Sequence, residues 1–392
     1  MSISYDTTTA LRCQDDILRS ANTLSKQTQR KHLALRVSDI LARAGYGDAA
    51  RAIEGCGDSI IMREYSDGAR EVAGAMYCRQ RLCPICQWRR SLKLYGQLSA
   101  CMDALDEGRI KAGKKPYRYL LLSVTIINCP NDALSEAITR MQDGFRAMTR
   151  SPEWQRSILG AYRSTEIKRS ERPEPQYRWH PHIHAILCVQ PSYFTGAKYL
   201  SKDAWIKLWK RCARLPYDPS IDIQAVAQAD IVNDGEKSRQ GAQAEATKYV
   251  CKADWYTLSE EEAVTDASVL MDILKNRRLV GWYGNLRQMH RALHLDGEDG
   301  DLVDIAPIRA DVAYTLTHYI WQDGVYMKIP MRAAASTLDL YALANALVKT
   351  NEGKYIPEDD DYDLLHDVLR EIHPHGQANP FHEPIPPVIP HI

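Results

Sequence analysis

Between residues 117 and 228 the chain switches repeatedly between a two-residue and a 3.6-residue hydrophobic period. Tyr117 to Ile127 reads as a strand with Leu120, Leu122, Val124 and Ile126 on one face, and Asn128 to Asn131, containing Pro130, as a turn. Leu134, Ile138, Met141, Phe145 and Met148 then recur at helical spacing, so this helix covers a sheet. Gly160 to Lys168 is a second strand with Tyr162, Ser164, Glu166 and Lys168 on one face. The third, WHPHIHAILCV from Trp179, projects His180, His182 and His184 from one face and Pro181, Ile183, Ala185, Leu187 and Val189 from the other. Ser201 to Leu215 is a helix with Trp205, Leu208, Trp209 and Cys212 inward, and Ile221 to Gln228 is a fourth strand. The order β-α-β-β-α-β predicts an α+β fold of split βαβ type: an antiparallel sheet with two helices on one side and a free face on the other. A further helix is predicted over Gly241 to Asp254. Its stripe Ala242, Ala246, Val250 and Ala253 is buried, and Glu245, Tyr249 and Lys252 share the opposite stripe, lying across the free face.

Chemistry enters through the polar positions of these elements. Two imidazoles two residues apart on a rigid strand form half of a metal site that lacks a third ligand and open positions for substrate. Glu166, on the neighbouring strand, can share that face with the histidines, or it can pair with Lys168 or Arg163. A tyrosine with a carboxylate and an amine one turn away is a candidate nucleophile, although an ordinary amphipathic helix accounts for the same spacing.

The cysteines add a second metal argument. Cys78, Cys83 and Cys86 form a tight knuckle, and Cys56 lies on an earlier turn, with the strand-like SIIMREY and REVAGAMY between. The pattern predicts a small hairpin closed by a four-cysteine Zn2+ site. Cys13, Cys101, Cys129, Cys188, Cys212 and Cys251 are scattered in apolar patterns and read as buried free thiols. Arg79, Arg81, Arg89, Arg90 and Lys93 decorate the knuckle and the helix after it, as a basic surface for DNA phosphates or as a solvated helix face.

The HPHIH strand, the RSTEIK strand before it, the EATKYVCK segment after it, and the upstream AMYCRQRLCPICQWRRSLK together resemble the HUH endonuclease superfamily. Within it they resemble the initiators of plasmid rolling-circle replication that carry an N-terminal zinc motif and a single catalytic tyrosine. The likeness runs in ordered blocks from about Cys56 to about Arg287. It implies that Tyr249 attacks a phosphodiester of the plasmid origin, leaving a 3′-hydroxyl and a 5′-phosphotyrosine. It further implies that His182, His184 and Glu166 bind catalytic Mg2+ or Mn2+, that Lys252 assists the phenolate, and that Glu245 activates water at termination. Tyr256 falls on the same predicted stripe and makes a two-tyrosine mechanism geometrically possible. Implied partners are origin DNA, single-stranded or hairpin at the nick, and host helicase and polymerase. A transposase or mobilisation relaxase shares the chemistry, and a noncatalytic zinc-dependent DNA-binding regulator is the alternative from another class.

Composition bounds these readings. The 392 residues carry 50 basic and 50 acidic side chains, so DNA binding must rest on uneven charge rather than on net charge. Basic residues cluster at 79–93 and 109–118, acidic ones at Asp296 to Asp304 and Glu358 to Asp367, which read as solvated loops. No apolar run is long enough to span a membrane, and the cysteine knuckle suits a reducing compartment, so the cytoplasm is expected. The expected organisation is a helical segment over 1–50, the zinc hairpin and basic helix over 51–115, the nuclease core over 116–257, a helical and mixed region over 258–372 and a disordered Pro- and His-rich tail over 373–392. Within the fourth part, Lys275 to Arg287 either contacts DNA or closes the core.

Overall fold

The computed structural model describes residues 24–171, 174–228, 236–248, 250–251, 258–297, 300–303, 305 and 314–329. The described residues divide into two compact units, one made from 25–56 and 77–305, the other from 57–76 and 314–329.

In the smaller unit, β1 (Ser59–Tyr65) and β2 (Arg70–Ala75) form the predicted hairpin, turning at Gly68 with φ +84°. The hairpin is half of a sheet. β10 (Tyr314–Gln322) pairs along the other edge of β1, from Ser59 opposite Ile320 to Tyr65 opposite Tyr314, and β11 (Val325–Ile329) completes the order β11-β10-β1-β2.

The larger unit contains the split βαβ arrangement. Its central strands are β3 (Arg118–Thr125), β4 (Ile158–Arg169), β5 (Trp179–Val189) and β6 (Ile221–Val226), ordered β6-β3-β5-β4 with every neighbour antiparallel. Two helices supply the apolar layer. On α4 (Leu134–Thr149), Leu134, Ile138, Met141, Phe145 and Met148 are fully buried, and on α6 (Lys202–Cys212) Trp205, Leu208 and Trp209 are. Each such side chain contributes roughly 1.5–3 kcal/mol of burial free energy. Gly144 lets α4 approach the end of α6, since a Cβ there would lie 2.8 Å from the Ala213 Cα.

Two expectations are corrected. The opposite sheet face is not free along its length, because α3 (Pro84–Lys111) and α7 (Arg239–Ala246) cover part of it. The Tyr119 hydroxyl donates to Met102 O at 3.2 Å and to Asp106 at 3.1 Å, both on α3, and Leu121, Tyr162 and Ile186 are buried. The helix predicted over 241–254 ends at Ala246, and Val250–Cys251 forms a short strand β8, parallel to β4 with Val250 opposite Glu166. The described helix therefore carries Glu245 alone of the three residues expected on one stripe. The segment after Ala246 is rich in residues with poor helix propensity, and the open edge of β4 offers its backbone groups better partners. The Ser164 hydroxyl, donating to Ala246 O at 2.6 Å, caps the helix at this point. Tyr249, Lys252 and Tyr256 lie outside the described residues, as do Glu358 to Asp367 and the tail.

Lys275 to Arg287 closes the core: β9 (Val280–Tyr283) pairs antiparallel with β4, and α9 (Gly284–Ala292) begins at Gly284, whose φ is +55°. A Cβ on Gly284 would lie 2.1 Å from Leu159 O, so only glycine permits this approach. Between β8 and β9 runs α8 (Glu260–Leu274).

A histidine-carboxylate cleft and a four-cysteine cluster

Register places the polar side chains of three strands on one face. Glu166 is opposite His182, Ser164 and Ser123 are opposite His184 from either side, and Lys168 is opposite His180; residues directly opposite in an antiparallel pair share a face. The His184 ring is held at both nitrogens, with Nε2 2.9 Å from Glu166 Oε2 and Nδ1 2.9 Å from Ser123 Oγ. Glu245, from the last turn of α7, brings Oε1 to 3.8 Å from that Nδ1. The His182 and His184 rings are parallel with centroids 5.6 Å apart, and His180 meets His182 edge-on at 4.2 Å. The His180 ring is fixed by a hydrogen bond between Nδ1 and Asn128 Oδ1.

Burial, reinforced by its histidine neighbours, pushes His182 down to about 3, so this imidazole is neutral and its lone pair is available at neutral pH. His180 is lowered for the same first reason, with Lys168 adding to it. Burial opposes the charge on Glu166, but the His184 hydrogen bond and the positive neighbours outweigh it, and the carboxyl is held below its ordinary range. Two imidazoles and an ionised carboxylate are a donor set suited to a divalent cation, and they open on a cleft of about 780 Å³. Lys168, Arg169, Glu245, Lys248, Ile127 and Tyr177 also line it. The partner of Glu166 is His184, not Lys168 or Arg163: Lys168 pairs with Glu171 at 3.2 Å, and Arg163 donates to Thr165 and to Leu279 O.

Sequence reasoning did not single out Ser123, Asn128 or Lys248 as site residues. Ser123 was detectable as the hydroxyl interrupting an apolar strand, and Lys248 as the amine three residues after Glu245, with which it forms an ion pair.

The cysteines converge as predicted. Cys56, Cys78, Cys83 and Cys86 have all four sulfur atoms within 4.8 Å of one another, the one His/Cys/Asp/Glu group among the described residues drawn together this tightly. Sγ–Sγ separations are 3.6 Å for Cys56–Cys86 and 3.7 Å for Cys78–Cys86, and the backbone N–H groups of Cys78 and Arg79 point at Cys56 and Cys86 sulfurs at 3.4 and 3.2 Å. Hydrogen bonds among the thiols raise the Cys56 thiol well above its usual range, and burial raises Cys83. The same hydrogen bonds lower Cys78, and four sulfur atoms this close are a donor set that could hold a metal ion.

The expected basic surface is corrected for three of its five residues. Arg89 and Arg90 are fully buried and Lys93 is 3% exposed. Arg89 donates to Leu302 O at 2.8 Å and Val303 O at 2.7 Å, Arg90 to the carbonyls of Arg79 and Gln80, and Lys93 to Asp296 at 2.6 Å. The acidic stretch from Asp296 is thus a partner of α3 rather than a wholly solvated loop. Arg79 is exposed and Arg81 half-buried.

The sequence profile of the replication protein family Rep_1 matches residues 69–324. "Protein rep" of Streptococcus pneumoniae serotype 2 (strain D39 / NCTC 7466) is 31% identical over 297 residues, covering 74% of this chain and 88% of the relative. "Protein rep" of Bacillus amyloliquefaciens is 32% identical over 301 residues, covering 71% and 84%. "Protein rep" of a Bacillus species is 32% identical over 273 residues, covering 66% and 86%. No solved structure is significantly similar to the chain. Sequence, sheet order and cysteine cluster agree, and the chain belongs to the replication protein family Rep_1, the plasmid replication initiators that its motifs resemble.

Proposed function

We propose that this protein starts rolling-circle replication by nicking one strand of its plasmid's origin through Tyr249. The observation that carries the reading is the Glu166–His184 pair with Glu245 beside it, in a cleft whose β4 wall registers Glu166 against Val250, the residue after Tyr249. The Tyr249 phenol oxygen attacks the scissile phosphorus, the bond from phosphorus to O3′ breaks, and the products are a free 3′-hydroxyl and a 5′-phosphate ester on Tyr249. A phenol near pKa 10 must lose its proton to attack well, and Lys252 favours the phenolate. His182, His184 and Glu166 would hold Mg2+ or Mn2+, which when bound supplies positive charge at a nonbridging phosphate oxygen. The phosphotyrosine keeps the energy of the broken bond, so a DNA 3′-hydroxyl can reseal the strand without ATP. Glu245 activates the water for the terminating cleavage.

The free 3′-hydroxyl primes a host polymerase behind a host helicase. Zn2+ suits the cysteine cluster, because metal–sulfur arms of about 2.3 Å give a tetrahedron with edges of about 3.8 Å, close to the 3.6 and 3.7 Å found. Arg79 and Arg81 remain the candidates for phosphate contact near it.

The test is incubation of wild type and Tyr249→Phe with supercoiled plasmid carrying the protein's own gene and flanking DNA, with Mg2+ or Mn2+. Metal-dependent nicked circles bearing covalent protein, absent in the variant, support the reading. Nicking retained by Tyr249→Phe moves the nucleophile elsewhere, to Tyr256 first. Specific binding without nicking by either protein favours a noncatalytic regulator, and cleavage confined to transposon ends or a transfer origin favours transposition or mobilisation.

A further inference from the structure

We propose that Arg239 is a positioning residue that fixes α7 on α3 and thereby keeps Glu245 beside His184. The inference rests on the nuclease reading of the cleft for its consequence, and on geometry of its own for its substance. Arg239 is the first residue of α7 and Glu245 lies in its last turn. An eight-residue helix is about 12 Å long and does not hold its shape alone in water, so its pose is set by the packing of Ala242, Gln243 and Ala246 and by what anchors its two ends.

Both anchors are visible. At the start, Arg239 donates one guanidinium nitrogen to Asp103 Oδ1 at 2.7 Å and another to Asp106 Oδ2 at 3.0 Å, so two carboxylates one helical turn apart on α3 grip a single planar cation. The guanidinium also lies over the Tyr119 ring at 5.2 Å. Asp106 is itself immobilised, accepting from Tyr117 N at 2.9 Å and the Tyr119 hydroxyl at 3.1 Å. The carboxylate that grips α7 is thereby tied to β3, the strand that places Ser123 against His184. At the other end, Ser164 of β4 holds Ala246 O.

The Ser164 bond fixes a point, and the Arg239 fork fixes the direction of the axis. Without the fork, α7 can pivot about Ala246 and carry Glu245 away from its 3.8 Å approach to His184. Arg239 touches none of the cleft residues. It acts on them through the helix, and its ion pairs are only 21% exposed on the arginine side, so water replaces them poorly.

The test uses the full chain with 15N-labelled histidine, comparing wild type, Arg239→Ala, Arg239→Lys and Glu245→Gln. The readouts are the His184 ring nitrogen resonances, the rates of the first nick and of the terminating, water-dependent cleavage on an origin oligonucleotide, and the Kd for it. The expected result is that Arg239→Ala moves the His184 resonances as Glu245→Gln does and, like it, slows the terminating cleavage by about 100-fold while the first nick persists. Kd stays within about twofold, because the lost contact belongs to the transition state, and Arg239→Lys recovers part of the rate. Unchanged His184 resonances in Arg239→Ala overturn the proposal. So does a loss of affinity that equals the loss of rate, or a Glu245→Gln variant that leaves His184 unmoved. Should Arg239→Ala not fold, the triple variant Arg239→Gln, Asp103→Asn, Asp106→Asn removes the charges together, and the same results decide. Absence of cleavage by wild type would sink the nuclease reading instead, leaving the His184 resonances to judge Arg239.

Discussion

Glu166 is directly opposite His182 across the β4–β5 pair, yet its carboxylate reaches diagonally to His184, with Oε2 2.9 Å from Nε2. Ser123 closes the other side of the same ring. His184 is thereby oriented, whereas His182, flanked by two other histidines and pushed down to about 3, is the more available donor. A cation entering this site would meet one free imidazole and would compete with an existing carboxylate–imidazole bond for the other.

Glu166→Ala is expected to lower the stability of the metal-free protein by about 1–3 kcal/mol in urea unfolding, since it leaves His184 Nε2 buried without its acceptor. Because the folded-state pKa of Glu166 is depressed below 4.5, its stabilisation is present above that value and lost as pH falls through the folded pKa. The gap between wild type and Glu166→Gln should therefore close in acid. A gap that persists at low pH would contradict the assigned carboxylate–imidazole hydrogen bond.

Cysteine reactivity should divide in two. Burial raises Cys101 and Cys188 to about 12 and Cys129 to about 11, so these thiols stay protonated and unlabelled in the native protein. The unfolded chain ionises its thiols near 9, so this group's contribution to stability declines as pH rises above that value. Chelation should release about one metal ion per chain and expose Cys56, Cys78, Cys83 and Cys86 to alkylation, read by peptide mass. Equal labelling of both sets before chelation would count against a metal-bound cluster.

Arg89 and Arg79 should separate stability from DNA affinity. Arg89→Met removes the donors of one buried and one partly buried carbonyl and is expected to cost about 2 kcal/mol or more. Arg79→Ala should leave the unfolding midpoint in place, weaken DNA binding, and reduce the slope of log K against log salt by about one. A salt slope that changes with Arg89 and not with Arg79 would reverse the assignment.

Glu245→Gln is expected to retain the first nick while slowing the terminating, water-dependent cleavage by about 100-fold. Gel analysis should then show covalent protein–DNA product accumulating over time. Equal loss of both cleavages would give Glu245 a role in the first step as well.

Gly284→Ala should destabilise the core by about 2–4 kcal/mol, because a methyl group at positive φ meets Leu159 O. Thermal unfolding at constant metal content would measure it, and a neutral result would mean that β4 and α9 separate more easily than their close approach implies.

The strands and helices of the core were legible because burial imposes periods of 2 and 3.6 on the sequence. Leu120, Leu122 and Val124, then Ile138, Met141 and Phe145, then Trp205 and Trp209 mark one buried side. The same periodicity put Glu166 and the three histidines on a common face, and the spacing of Cys78, Cys83 and Cys86 announced a knuckle that needed only Cys56. Periodicity could not say where α7 would stop, because that depends on the open edge of β4, a partner some 80 residues earlier in the chain that local propensity does not register. Nor could it distinguish an arginine that faces solvent from one that faces carbonyls. Arg79 and Arg89 look alike in sequence, and it is the return of Leu302 and Val303 to α3 that gives the second its buried partners. The pairing of β1 with β10 likewise joins segments some 250 residues apart. The sequence by itself therefore determined the elements, their inward faces and the residue types of both sites. The tertiary structure decided which of those residues meet, because hydrogen bonds and ion pairs form between groups that packing brings within about 3 Å, whatever their separation along the chain.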